Sequence, residues 1–81
     1  MNRVSYIGYS ALKKCFPVGI EWDEQSLILL GYRGILPFAR GGDREPKWQT
    51  NALEVWFSRK YRKTPELVKH FCAALKKASA Q

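Results

Sequence analysis

The middle of the chain reads Ile35-Leu36-Pro37-Phe38-Ala39-Arg40, then Gly41-Gly42-Asp43-Arg44-Glu45-Pro46, then Lys47-Trp48-Gln49. Two short extended arms around a Gly-Gly-Asp turn are the pattern of a β-hairpin with a longer loop. Pro46 removes one ladder donor, which fits a short edge strand and argues against a long central one, so the sheet is expected to be small. With 81 residues in all, there is room for one hydrophobic core and no second domain. The hairpin must therefore pack against whatever lies on either side of it.

Both flanks carry helical spacing. Val4 to Phe16 places Ile7, Ala11, Leu12 and Cys15 on one side and Lys13 and Lys14 on the other. Gly8 weakens the beginning, so a start at Ser10, a reasonable N-cap, is the alternative; Pro17 and Gly19 end the segment. Asp23–Arg33 reads as a second helix, with Asp23 as N-cap, Glu24 and Gln25 in its first turn, an inner stripe of Leu27, Leu30 and Gly31, and Gly34 just past its end. A buried strand through Leu27–Leu30 competes with it. After the hairpin, Thr50 or Asn51 caps a third helix, and Asn51 with Glu54 resembles a capping box. Its apolar face is Leu53, Trp56, Phe57 and Lys60/Tyr61, and it is expected to end near Tyr61. Thr64-Pro65-Glu66 is a strong start for a fourth helix, whose inner face is Leu67, Val68, Phe71, Cys72 and Leu75 and whose residues 78–81 fray. The expected fold is thus one mostly α domain with a small β-hairpin, about four helices, in a winged helix-turn-helix-like arrangement of residues 1–81.

Charge narrows the function. Fourteen Lys and Arg against seven Asp and Glu leave +7, a balance that favours nucleic acid or another anionic surface as partner. The excess is uneven. Six basic residues face five acidic ones from Met1 to Glu45, and eight face two from Pro46 onward. The densest group is Arg59-Lys60-Tyr61-Arg62-Lys63, between the last two helices; a thinner one is Arg33, Arg40, Arg44 and Lys47 around the hairpin. A solvated face that only aids solubility is the plain alternative to phosphate contact. Six phosphate contacts would give log K against log salt a slope of about −5. Tyr61 either stacks on a base or joins the apolar stripe of its helix. Trp48 and Trp56 read as core; Trp22 reads as a staple residue before the second helix or as an exposed contact.

Other classes find little support. No apolar run nears the roughly 18 residues of a membrane span, and the N-terminus lacks the apolar core of a signal peptide, so a cytoplasmic location is expected. Cys15 and Cys72 stand apart and only His70 could join them, so no zinc constellation forms; both cysteines read as small buried apolar residues, with a disulfide as the alternative. No phosphate-binding Gly loop and no nucleophile elbow occurs. The Asp23/Glu24 and Asp43/Glu45 pairs sit where helix starts and turns want acids. Neither catalysis nor a cofactor, nor a small-molecule substrate, is expected.

The stretch Gly34 to Arg44, followed by Lys47-Trp48 and Asn51-Ala52-Leu53-Glu54-Val55-Trp56, is similar to phage excisionases and the small prophage regulators of the MerR-like winged-helix superfamily. The matching residues are Gly34, Leu36, Pro37, Gly41, Gly42, Arg44, Trp48 and Trp56: a Gly ending the recognition helix, an apolar residue with Pro, a Gly-rich basic wing, a Trp in the returning strand and a Trp early in the next helix. The resemblance implies a non-enzymatic protein that binds double-stranded DNA, in the cytoplasm of a bacterial host cell. Such a protein would bend DNA for recombination or regulate transcription, with a recombinase or further copies of itself along DNA as partners. It implies that Gln25, Ser26 and Arg33 face the major groove and that Arg40, Arg44 and Lys47 of the wing meet phosphates or the minor groove. Arg59, Lys60, Arg62 and Lys63 enter the candidate site through charge clustering alone. In the recognition-helix segment the polar Ser26 and Arg33 are separated by Leu27–Leu30, so backbone binding is better supported than base reading. The competing readings are a small phage-type inhibitor that docks on a host complex, with Trp22 or Tyr32 as anchor, and an RNA or single-strand binder.

Overall fold

The computed structural model describes residues 5–40, 42 and 44–79. Along the described residues the order is β1 (Tyr6–Gly8), α1 (Tyr9–Leu12), α2 (Glu24–Tyr32), β2 (Phe38–Arg40), β3 (Pro46–Gln49), α3 (Thr50–Lys60) and α4 (Pro65–Ser79). The domain is mostly helical, with four helices and a small antiparallel sheet of three strands among the described residues.

The sheet differs from the expected two-stranded hairpin. Its order is β1-β3-β2, so β3 is the central strand. Phe38 pairs with Trp48 and Arg40 with Pro46 on one side; Tyr6 pairs with Gln49 and Gly8 with Lys47 on the other. Pro46 is tolerated in a central strand because it is the first residue and lies beyond the last β1 partner. Gly41 and Asp43 of the expected turn lie outside the described residues, as do Val4 at the proposed start of the first helix and the last two residues of the frayed end.

β1 replaces the beginning of the expected first helix. Ile7 is buried opposite Trp48 while Tyr6 points out, an alternation of strand type. Gly8 is extended (φ −83°, ψ 170°) and serves as N-cap of the single-turn α1, so the cap is not Ser10. Ile7 and Leu12 meet the core either way, which is why a helical period fitted them.

α2 follows the sequence closely, and the strand alternative through Leu27–Leu30 is excluded. The Asp23 carboxylate accepts from the Ser26 N–H at 3.3 Å. At the other end the Gly34 N–H donates to the Gly31 carbonyl (3.0 Å) and the Ile35 N–H to Leu30 (2.9 Å), with Gly34 at φ 76°. This is a Schellman cap, and glycine fits its left-handed position. Gly31 matters for another reason: a Cβ there would overlap the ring of Phe38, so its absence lets the β2 strand lie against the helix.

α3 begins at Thr50 with Gln49 as its N-cap and no side-chain cap, so neither Thr50 nor Asn51 caps it and the Asn51/Glu54 box is not used. The chain passes from β3 into the helix while still paired to β1, and the Thr50 N–H donates to the Ser5 carbonyl at 2.9 Å. The residue just before β1 thus satisfies the first helical N–H, leaving a capping side chain less to do. α4 begins at Pro65 as expected, after the Thr64 hydroxyl has donated to the Tyr61 carbonyl (3.1 Å).

The core lies where α3, α4 and the sheet meet. Trp48, Phe57, Phe71, Leu12, Leu27, Leu36, Leu53 and Leu75 are fully buried. Phe57 and Phe71 stack at 4.1 Å between centroids, and Phe16 adds its ring at 5.2 Å from Phe71. Offset aromatic pairs of this kind add about 0.5–1.5 kcal/mol beyond their area. Among the described residues no helix is long and apolar enough to cross a membrane.

Candidate nucleic-acid interface

The cations predicted from sequence form two clusters, and within the first Phe38 joins the end of α2 to the wing. On α2 and its C-cap Arg33, the exposed residues are Gln25, Leu29, Tyr32 and Arg33, spaced i, i+4, i+7 and i+8 along a single face. Gln25 and Arg33 therefore lie on the same outer stripe. Ser26 is half-buried, and its backbone N–H is committed to the Asp23 cap. Tyr32, 72% exposed, sets its ring edge-on to Phe38 with centroids 5.7 Å apart. From the other side the Arg40 guanidinium lies over the same ring, 5.6 Å from its centroid. The outer face of α2 thus runs into the β2–β3 wing without a break.

Within the wing, Arg40 is exposed and restrained. Its Nη1 donates to the Arg44 carbonyl at 3.1 Å. Arg44 is the one non-glycine at positive φ among the described residues (64°), a conformation L residues adopt at a cost of about 1–2 kcal/mol. The exposed Arg44 side chain thus projects from a turn that Arg40 braces. Lys47 is placed differently from what the hairpin pattern suggests. It is half-buried in the central strand, between Gly8 and Ala39, away from the turn.

The second cluster lies at the turn between α3 and α4. Arg59, Lys60, Arg62 and Lys63 are all exposed. Tyr61 is not available for base stacking. It packs on Phe57 with centroids 4.5 Å apart, and its hydroxyl accepts from Trp22 Nε1 at 3.1 Å. Trp22 is half-buried, edge-on to Trp56 at 5.1 Å, with the Lys60 ammonium 5.1 Å over its ring. It clamps the approach to α2 onto α3, and its carbonyl accepts from the Tyr9 hydroxyl (2.8 Å). Its indole is thus engaged, and Tyr32 is the more exposed of the two aromatics read as docking anchors.

Hydrogen bonding from Ser26 holds the Asp23 carboxyl below the usual carboxylate range. Burial pushes the Cys15 thiol up; burial and then the charge of Glu54 push up Cys72, against Lys76. Both cysteines are free, Cys15 buried and Cys72 half-buried. His70 is exposed on α4. No three His, Cys, Asp or Glu side chains gather around a possible metal position among the described residues.

One feature of the surface escaped the sequence: an apolar groove between the end of α2 and α3, lined by Leu30, Ile35, Pro37, Ala52, Val55 and Trp56. The Schellman pattern at Gly31–Ile35 was the available signal, because it sets Leu30 beside Ile35. No protein-family profile matches the chain, and no curated protein or solved structure gives a match to it.

Proposed function

We propose that this chain is a small double-stranded-DNA-binding protein of winged helix-turn-helix type, without catalytic activity, acting as an excisionase-like recombination factor or transcription regulator in the cytoplasm of a bacterial host. The reading rests on one observation: Phe38 links the exposed face of α2, bearing Gln25 and Arg33, to a braced wing bearing Arg40 and Arg44. A helix face next to a basic hairpin suits a duplex, with the helix entering a groove and the wing following the backbone. Two exposed apolar residues, Leu29 and Tyr32, separate Gln25 from Arg33, so contacts to phosphates dominate and sequence reading is weak. Arg62 and Lys63 add attraction at longer range.

A competition assay with duplex DNA, single-stranded DNA and RNA tests the proposal at two salt concentrations. Duplex DNA is expected to win. Replacing both Arg40 and Arg44 with Ala should weaken duplex binding and reduce the salt slope by about 2. The Arg59/Lys60 pair replaced with Ala should do less. Dominance of the second pair would remove the wing from the interface, and preference for single strands would overturn the duplex reading.

A further inference from the structure

The apolar groove is built by the cap of α2. Because the Ile35 N–H reaches back to the Leu30 carbonyl, Leu30 and Ile35 form one wall. Along the opposite wall α3 presents Asn51, Ala52, Val55, Trp56, Arg59 and Lys60, residues at helical spacing on one face. Pro37 completes a groove of about 650 Å³. Ile35 and Val55 keep 54% and 52% of their surface in water, although both belong to this concavity. Adjoining exposed apolar side chains of this kind mark interaction sites.

Its chemistry changes along its length. Most of the lining is hydrocarbon, Asn51 is polar, and at the C-terminal end of α3 stand Arg59 and Lys60. Stacking on Trp22 holds the Lys60 ammonium at that end. None of the lining residues is acidic. From Asn51 to Lys60 the helix rises about 13 Å, or about two and a half turns.

We infer that this groove is a docking site for an acidic amphipathic helix of a partner protein. An occupant of about three turns would lay apolar side chains at i, i+3 or i+4, and i+7 on Leu30, Ile35 and Val55, and set Asp or Glu against Arg59 and Lys60. A second copy of the chain fits less well, because it brings its own net charge of +7 to a cationic end. Nucleic acid fits less well too, since the hydrocarbon lining offers phosphates and base edges no hydrogen bond. The inference uses none of Gln25, Arg33, Arg40 or Arg44, so it stands or falls separately from DNA binding.

Selection of a phage-displayed library of 16-residue amphipathic helical peptides on the full-length protein tests this, followed by anisotropy titration of the best synthetic peptide. Enriched peptides should carry Asp or Glu next to their apolar stripe. Binding should fall by about tenfold or more in Val55→Glu, in Ile35→Asp and in the Arg59→Glu/Lys60→Glu pair. The Arg40→Ala/Arg44→Ala pair should bind the peptide normally. Val55 and Ile35 are half exposed, so their variants should keep the wild-type circular dichroism; amide shift mapping on the wild type gives a second readout, with changes expected along α3. Absence of enrichment, enrichment without acids, indifference to both Val55→Glu and Ile35→Asp, or shifts away from α3 would each overturn the inference. Displacement of the peptide by duplex DNA, with DNA affinity lost in the Arg59/Lys60 pair, would assign this end of the groove to DNA instead.

Discussion

At the level of single residues, the wing keeps a strained position where glycine would be easier. Arg44 sits at φ 64° and its carbonyl holds the Arg40 guanidinium. Arg44→Gly should therefore raise stability by about 1 kcal/mol in urea unfolding while weakening duplex binding; a loss of stability would show that the Arg44 side chain holds the turn together. Asp23 supplies a pH test. Hydrogen bonding from Ser26 depresses its folded-state pKa, so its contribution is present above the unfolded carboxylate value of about 3.9 and disappears as pH falls through the lower folded value. Asp23→Asn should flatten the decline in melting temperature across that acid window and leave the rest of the profile parallel to wild type. Asp23 as a cap and Gly34 as a left-handed stop were legible in the sequence, because each depends on residues within a few positions. The positive φ of Arg44 was not, because the Gly-Gly-Asp run beside it offered more obvious turn positions.

Among the elements, α2, α4 and the end of α3 near Tyr61 were readable from capping and period, whereas the start of the first helix and the N-cap of the third were not. Both discrepancies have one cause, β1. Three residues, Tyr6–Gly8, are too few to show an alternation, and Ile7 is buried by pairing opposite Trp48, a partner some forty positions away in sequence. Ser5, the residue just before that strand, supplies the carbonyl that receives the Thr50 N–H, and no side chain caps α3, so Asn51 has no capping role. Asn51→Ala should accordingly change stability by less than about 0.5 kcal/mol, whereas loss of a working N-cap costs about 1 kcal/mol; equilibrium denaturation distinguishes the two. The candidate interface was legible in the same uneven way. Gln25 and Arg33 fall on one face of a helix whose bounds the sequence set correctly, but Lys47 belongs to a central strand because β1 covers the edge that Pro46 seemed to leave open.

Across the whole molecule, α4 is the element that closes the core. Phe71 stacks on both Phe57 and Phe16, whose rings also meet each other at 6.2 Å, and Leu75 is fully buried. Phe71→Ala should cost about 3–5 kcal/mol by denaturant unfolding, a large part of the about 5–15 kcal/mol that holds a typical domain together. A loss below about 1 kcal/mol would make α4 an appendage to the six elements before it. Sequence alone determined the mostly helical composition, the hairpin, the caps of α2, the start of α4 and the uneven distribution of +7, because turn chemistry, helical period and charge are local properties. Tertiary structure decided the third strand, the central position of β3, the packing of half-buried Tyr61 against Phe57, the continuity of α2 with the wing through Phe38, and the groove beside α3. Each of these depends on which distant segments exclude water from one another, and no window of neighbouring residues contains that information.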